Sequence, residues 1–213
     1  MNATIVSINV GKPKKFQFKE REVSSAIDKK PVAEPVYLSF SNFAGDEQAD
    51  LVFHGGKDKA VCAYSHDHYT YWENKLAIEL MVGAFGENLT IQGVTEADIC
   101  IGDVFRLGEA IVQVSQPRQP CYKLAGKHNI PDFVRQVQET GYTGFYFRVL
   151  QEGWVERNRG LKLIARDPAG VSLAYVNQSK YDEKASRAAI ERILQVEALA
   201  DSWRQSFAKR LAD

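Results

Sequence analysis

Cysteine and methionine are both scarce in this sequence, at three and two residues among 213. Cys62, Cys100 and Cys121 form an odd set without the spacing of a disulfide framework, a zinc ribbon or an iron–sulfur motif. A reduced, cytoplasmic setting is the default that follows. No apolar run approaches the roughly 20 residues of a membrane helix. The opening residues, Met1 to Val10, lack the basic start, long apolar stretch and small-residue cleavage site of an export signal. Net charge is missing as well: 27 Lys and Arg balance 27 Asp and Glu, so no global field recruits nucleic acid or an anionic membrane. Gly55-Gly56-Lys57 does not continue into the Ser or Thr of a Walker loop, and no dinucleotide glycine fingerprint occurs. Nucleotide triphosphate hydrolysis and an intrinsic dinucleotide site are thereby set aside.

What is present is an ordinary globular composition, 45% hydrophobic and 25% charged, long enough for one large domain or a domain with a small appendage. β-branched and alternating runs predict strands over 3–10, 35–40, 59–64, 104–107, 110–115, 144–150 and 161–165. A helix capped by Ser65 carries His68, Tyr69, Trp72 and Leu76 on one face. His66 and His68 are two apart and point in different directions on such a helix, so both read as surface or capping residues. Lys12 to Arg21 reads as a long solvated connection. After Gly170 the period changes: Ile190, Ile193, Leu194, Leu199, Trp203, Phe207 and Leu211 recur at helical spacing. The expected fold is mainly β, a barrel over 1–166, followed by a three-helix segment over 171–213 too short for a core of its own.

One stretch concentrates chemistry: Ser115-Gln116-Pro117-Arg118-Gln119-Pro120-Cys121-Tyr122-Lys123-Leu124. Neither proline can donate to a ladder, so the preceding strand should stop just before them and leave Cys121 on an irregular loop. Arg118 and Lys123 favour thiolate over thiol, the form that attacks electrophiles or binds a soft metal. The bland alternative is a small buried cysteine, and that is how Cys62 and Cys100 read. A second stretch, Gly45 to Ala60, sets Gly55 and Gly56 between His54 and Lys57, where turned backbone N–H groups would hold an anion or a polar ring, or simply close a hairpin. Glu87 and Asn88 follow a glycine-rich turn, where Asn88 reads a heterocycle edge or satisfies its own turn.

Taken together, Gly45-Asp-Glu-Gln-Ala49, Val52-Phe-His54-Gly-Gly56, Ala84-Phe-Gly-Glu-Asn-Leu89, Gly102-Asp-Val-Phe-Arg106 and the Cys121 stretch resemble the MOSC domain. Within that family they are most similar to the stand-alone YiiM-type proteins, which join a MOSC β-barrel to a C-terminal three-helix domain. The resemblance implies a molybdenum cofactor (molybdopterin), with Cys121 as the thiolate ligand to the metal. It also implies reduction of N-hydroxylated compounds such as 6-N-hydroxylaminopurine, in which electrons come from a metal because no side chain can supply them. On this reading Arg118 and Lys123 balance anionic charge, and His54, Gly55, Gly56, Asn88 and Ser115 shape the pterin and phosphate pocket. Asp50 or His54 supplies a proton. A flavoprotein reductase is the implied electron donor. The C-terminal helices would dock it, or brace the barrel or a homodimer; amphipathic helices ordinarily just bury their apolar face, which favours bracing. Two other readings stay open: a non-catalytic carrier of the cofactor or of sulfur on Cys121, and a metal-free cysteine nucleophile with His54 or His128 as base.

Overall fold

The computed structural model describes residues 1–18, 21–49, 55–182 and 184–212. Asp50 and His54, both candidate site residues, lie outside them. The chain opens with β1 (Asn2–Val10), a hairpin of β2 (Lys14–Phe18) and β3 (Arg21–Ser25), and the short β4 (Lys30–Val32) and β5 (Val36–Leu38). It continues through β6 (Val61–Ser65), α1 (Tyr69–Leu76), β7 (Leu89–Gln92), β8 (Val104–Leu107) and β9 (Ala110–Pro117). Helices α2 (Tyr122–His128) and α3 (Phe133–Thr140) lead to β10 (Phe145–Gln151), β11 (Gly153–Val155) and β12 (Leu161–Ala165). Three helices finish it: α4 (Leu173–Tyr181), α5 (Arg187–Leu194) and α6 (Asp201–Ala212).

Seven strands close into a barrel in the order β12-β8-β9-β10-β6-β7-β1, with β12 returning to pair with β1 through Asn2 and Lys162. Closure removes the exposed edges that an open sheet would present. All neighbours in the ring are antiparallel except β6 and β7. Period-two alternation sends Ile5, Phe105, Val112, Val114, Phe145 and Phe147 into the interior. The expectation of a mainly β barrel with short helices and a C-terminal helical part is what the structure shows. A second apolar cluster fills the space under α1, α2 and α3, where the Phe85 ring stacks on Tyr64 at 3.8 Å.

Three local expectations are corrected. The Lys12 to Arg21 stretch is solvated at its lysines but is not merely a connection: Phe16 and Phe18, half-buried, alternate with exposed polar residues in β2, pair with β3, and lie against Gly126 on α2. Nor does β9 stop before Pro117, which pairs with Phe145. The missing proline N–H is tolerated because the next donor, the Arg118 N–H, bonds to Gly144 O at 2.9 Å. His68 stands at the N-cap position of α1, as one alternative had it, but it is no surface residue: it is buried, its Nε2 is 2.6 Å from Glu96 Oε2, and its ring stacks on Tyr142 at 3.7 Å.

Leu173, Val176, Ile190, Ile193, Trp203 and Phe207 belong to the same apolar cluster as the barrel interior. The C-terminal helices therefore dock on the barrel, as their length requires. Polar ties add to this: Leu173 N–H donates to Ile99 O at 2.9 Å and Ala200 N–H to Ser115 O at 3.0 Å.

Candidate active site

The end of β9, the start of α2, strands β6 and β10 and two loops, 25–29 and 46–49, converge on a cleft of about 80 Å³. Cys121 stands in its wall, half-buried, immediately before α2. Arg118 and Lys123, on either side in sequence, line the same cleft at only 6% and 8% exposed. No described residue accepts a hydrogen bond from either head group. A buried cation without a bonded anion is costly, and two of them facing one small space define a place for negative charge. Burial alone pulls the Arg118 guanidinium down, but Cys62, Tyr146 and Cys121 together hold it above the ordinary arginine value. It stays charged.

The remaining walls are tied together. Asp46 accepts from Gly11 N–H at 2.8 Å and Asn88 Nδ2 at 2.8 Å, and is ion-paired with buried Lys29. Asn88 also donates to Asn9 O at 3.2 Å and accepts from Cys62 N–H at 3.1 Å. Its carboxamide thus joins β1, β6 and the 46–49 loop, and it shapes the cleft as a brace. Behind it the fully buried Glu87 accepts from the Tyr69 hydroxyl at 2.6 Å, the Thr90 hydroxyl at 2.7 Å, and the Gly83 and Phe85 N–H groups at 3.0 Å each. Four donors on one carboxylate fold the Gly83–Asn88 turn around it. The motif residues Glu87 and Asn88 thus hold the loop against the barrel.

Of the other candidates within the described residues, Gly55, Gly56 and Ser115 do not line the cleft. Ser115 is buried in β9, its hydroxyl 2.6 Å from Asp58 O and 3.1 Å from Tyr146 O. Gly56 takes φ +97° as it enters a single 3₁₀ turn over Lys57–Lys59, and only Lys59 of that turn reaches the cleft. Residues that sequence reasoning passed over are Lys29, Cys62 and Tyr146. Lys29 sits in a charged run with no distinguishing signal. Cys62 is buried as expected but faces the cleft, and burial raises its thiol pKa. Tyr146 had a usable signal: Phe145 and Phe147 point inward, so a strand puts the aromatic between them on the opposite face. Burial, then Cys62, raise its phenol well above the ordinary value.

Among the described residues, no group of three or more His, Cys, Asp or Glu is placed to hold a metal ion. A metal here would be held by Cys121 and would have to bring its other ligands with it. An anionic metal–ligand complex fits both that requirement and the two cations left without an acceptor among the described residues.

Comparison with known proteins gives the class. Residues 50–160 match the MOSC domain and residues 171–213 the YiiM-like, 3-alpha helix domain, and the chain belongs to the MOSC family with a YiiM-like C-terminal extension. Among its relatives, the uncharacterized protein YflK of Bacillus subtilis (strain 168) is 51% identical over 97% of this chain and 94% of that protein. The crystal structure of YiiM from Geobacillus stearothermophilus superposes with a TM-score of 0.83 at 47% identity, covering 98% and 99% of the two chains. A protein named "Reductase" from Gibberella moniliformis (strain M3125 / FGSC 7600) is 38% identical over 68% of this chain, which spans only 26% of that longer protein. No helix among the described residues is long and apolar enough to cross a membrane.

Proposed function

We propose that this protein is an oxidoreductase that uses molybdenum cofactor to reduce N-hydroxylated compounds, such as 6-N-hydroxylaminopurine, to the corresponding amines in the cytoplasm. The observation that carries the reading is the pair of buried cations, Arg118 and Lys123, lining the cleft with the half-buried thiol of Cys121 and donating no hydrogen bond to any described residue. A MOSC barrel and a reductase-named relative support it.

When bound, the cofactor supplies the two-electron redox chemistry that amino-acid side chains lack. The chain's own residues do the rest. Cys121 offers the soft thiolate. Arg118 and Lys123 offset the thiolate and ligand charge in a space where water screens little. The Lys29–Asp46 pair and Asn88 tie the walls of the cleft together and would hold its shape around a bound group. Asp50 or His54 delivers a proton to the departing oxygen, and a flavoprotein reductase supplies electrons.

Elemental analysis tests this. Wild type and Cys121→Ala, purified from a host that makes the cofactor, should differ: near-stoichiometric molybdenum in the first and little in the second. Equal metal in both would remove Cys121 as ligand. Metal in neither would sink the cofactor reading. Metal-loaded, chemically reduced wild type should convert an N-hydroxylated base to its amine, and loaded protein that turns none over is a carrier.

A further inference from the structure

Arg118 lies one residue past β9, and the Gly144 carbonyl that receives its N–H has a second donor, the Thr143 hydroxyl, also at 2.9 Å. The Thr143 oxygen in turn accepts from Asn177 Nδ2 at 2.8 Å. Asn177 belongs to α4, in the C-terminal helical segment, and is 1% exposed. The same amide nitrogen donates to Gly141 O at 3.1 Å. That fixes its orientation, because a flipped carboxamide would set two oxygens against each other. With its oxygen accepting from Asn177, the Thr143 hydroxyl directs its own hydrogen to Gly144.

The peptide group preceding Gly144 is held as well. Its N–H donates to Glu96 Oε1 at 2.8 Å, and the second oxygen of Glu96 is engaged by His68. Gly144 has φ +71°, and a Cβ there would stand 2.5 Å from Ala63 O. Both backbone polar groups of Gly144 are therefore bonded, and the residue sits against β6 with no room for a side chain. A second tie from the helical segment, Ala200 N–H to Ser115 O, lands on β9 three residues before Arg118.

We propose that the C-terminal helices set the position of the anion-binding arginine, with Asn177 acting through Thr143 and Gly144 as a positioning residue for Arg118. The proposal rests on the reading of Arg118 as the cation beside Cys121. Were Asn177 only a fastener between helix and barrel, its loss would lower stability and leave the electrostatics at the thiol unchanged.

Cys121 itself is the reporter. In full-length protein from a host without the cofactor, native alkylation of Cys121 is followed by peptide mass spectrometry with iodoacetate and with iodoacetamide; Cys62 and Cys100 are buried. A nearby cation speeds the anionic reagent relative to the neutral one. Arg118→Gln should lower the iodoacetate-to-iodoacetamide rate ratio, and Asn177→Ala and Thr143→Val should lower it by roughly threefold, within the range of coupling through packed networks. Thr143→Ser, which keeps the hydroxyl, should restore the wild-type ratio. A wild-type ratio in Thr143→Val alongside a reduced one in Arg118→Gln overturns the positioning role. An unchanged ratio in Arg118→Gln overturns the anion-site reading, and the positioning role with it. If Asn177→Ala does not fold, the near-isosteric Thr143→Val decides the matter.

Discussion

His128 was a candidate base on sequence, and the structure puts it to a different use. It ends α2 with its Nε2 2.8 Å from Ala84 O, its ring edge-on to Phe133 at 5.2 Å. Burial lowers its pKa from the ordinary 6.5, the hydrogen bond to Ala84 opposes the shift, and neighbouring Lys127 adds to it. The sign of the consequence follows from proton counting. With the folded value depressed, the unfolded chain binds the proton first as pH falls below 6.5, so the stabilisation is complete above that value and is lost on acidification through the folded one. Urea midpoints of the wild type should therefore drop between pH 7.5 and 5.5, and His128→Gln, which can still donate to Ala84 O, should show a shallower drop. Parallel slopes in the two proteins would exclude His128 as a source of the acid sensitivity. Other residues carry a comparable lesson about burial: Glu87 looks like a binding group in sequence, but its four donors make it the post around which a turn is wrapped.

Elements were legible where local pattern and long-range packing agreed. β1, β6, the β8–β9 hairpin, β10 and β12 carry alternating or continuous apolar runs, and the C-terminal helices carry a helical period, so each could be read locally. The β2–β3 hairpin could not, because its lysines mask the two phenylalanines that give it a reason to fold. The same limit applies to the site. The Cys121 stretch stands out by its prolines and cations, whereas Lys29, Cys62 and Tyr146 reach the cleft only because the barrel closes, and closure depends on the pairing of β1 with β12 across most of the chain. The hairpin is more than decoration, since Ser25 at its end and the following Ala26 and Ile27 line the cleft. Its seat is Gly126, where an added Cβ would lie 2.8 Å from the Phe18 ring and 3.0 Å from Phe16. Gly126→Ala gains about 1 kcal/mol of helix propensity while pushing the hairpin off α2. We expect little change in melting temperature but faster limited proteolysis within residues 14–25. Unchanged cleavage there would mean that the hairpin shifts without loosening.

At the scale of the molecule, the family models divide the chain into a barrel part and a three-helix part, whereas the packing does not. Leu173, Val176, Ile190, Ile193, Leu199, Trp203 and Phe207 share one buried cluster with the interior of the barrel. Burying side chains of this kind contributes about 1.5–3 kcal/mol each, so the set is comparable to the whole net stability of a typical domain, about 5–15 kcal/mol. Removing residues 171–213 would also free the Ile99 and Ser115 carbonyls and the Thr143 hydroxyl from their helical partners. The helices thus brace the barrel, whatever else they touch. A chain ending at Gly170 should lack native near-UV circular dichroism, and the full-length protein should unfold in one calorimetric transition rather than two. A truncated chain that folds and keeps the wild-type alkylation preference at Cys121 would separate the two parts and contradict the shared core. If it folds but loses that preference, the helices are dispensable for the barrel and required for Arg118, the outcome in which positioning outlives bracing.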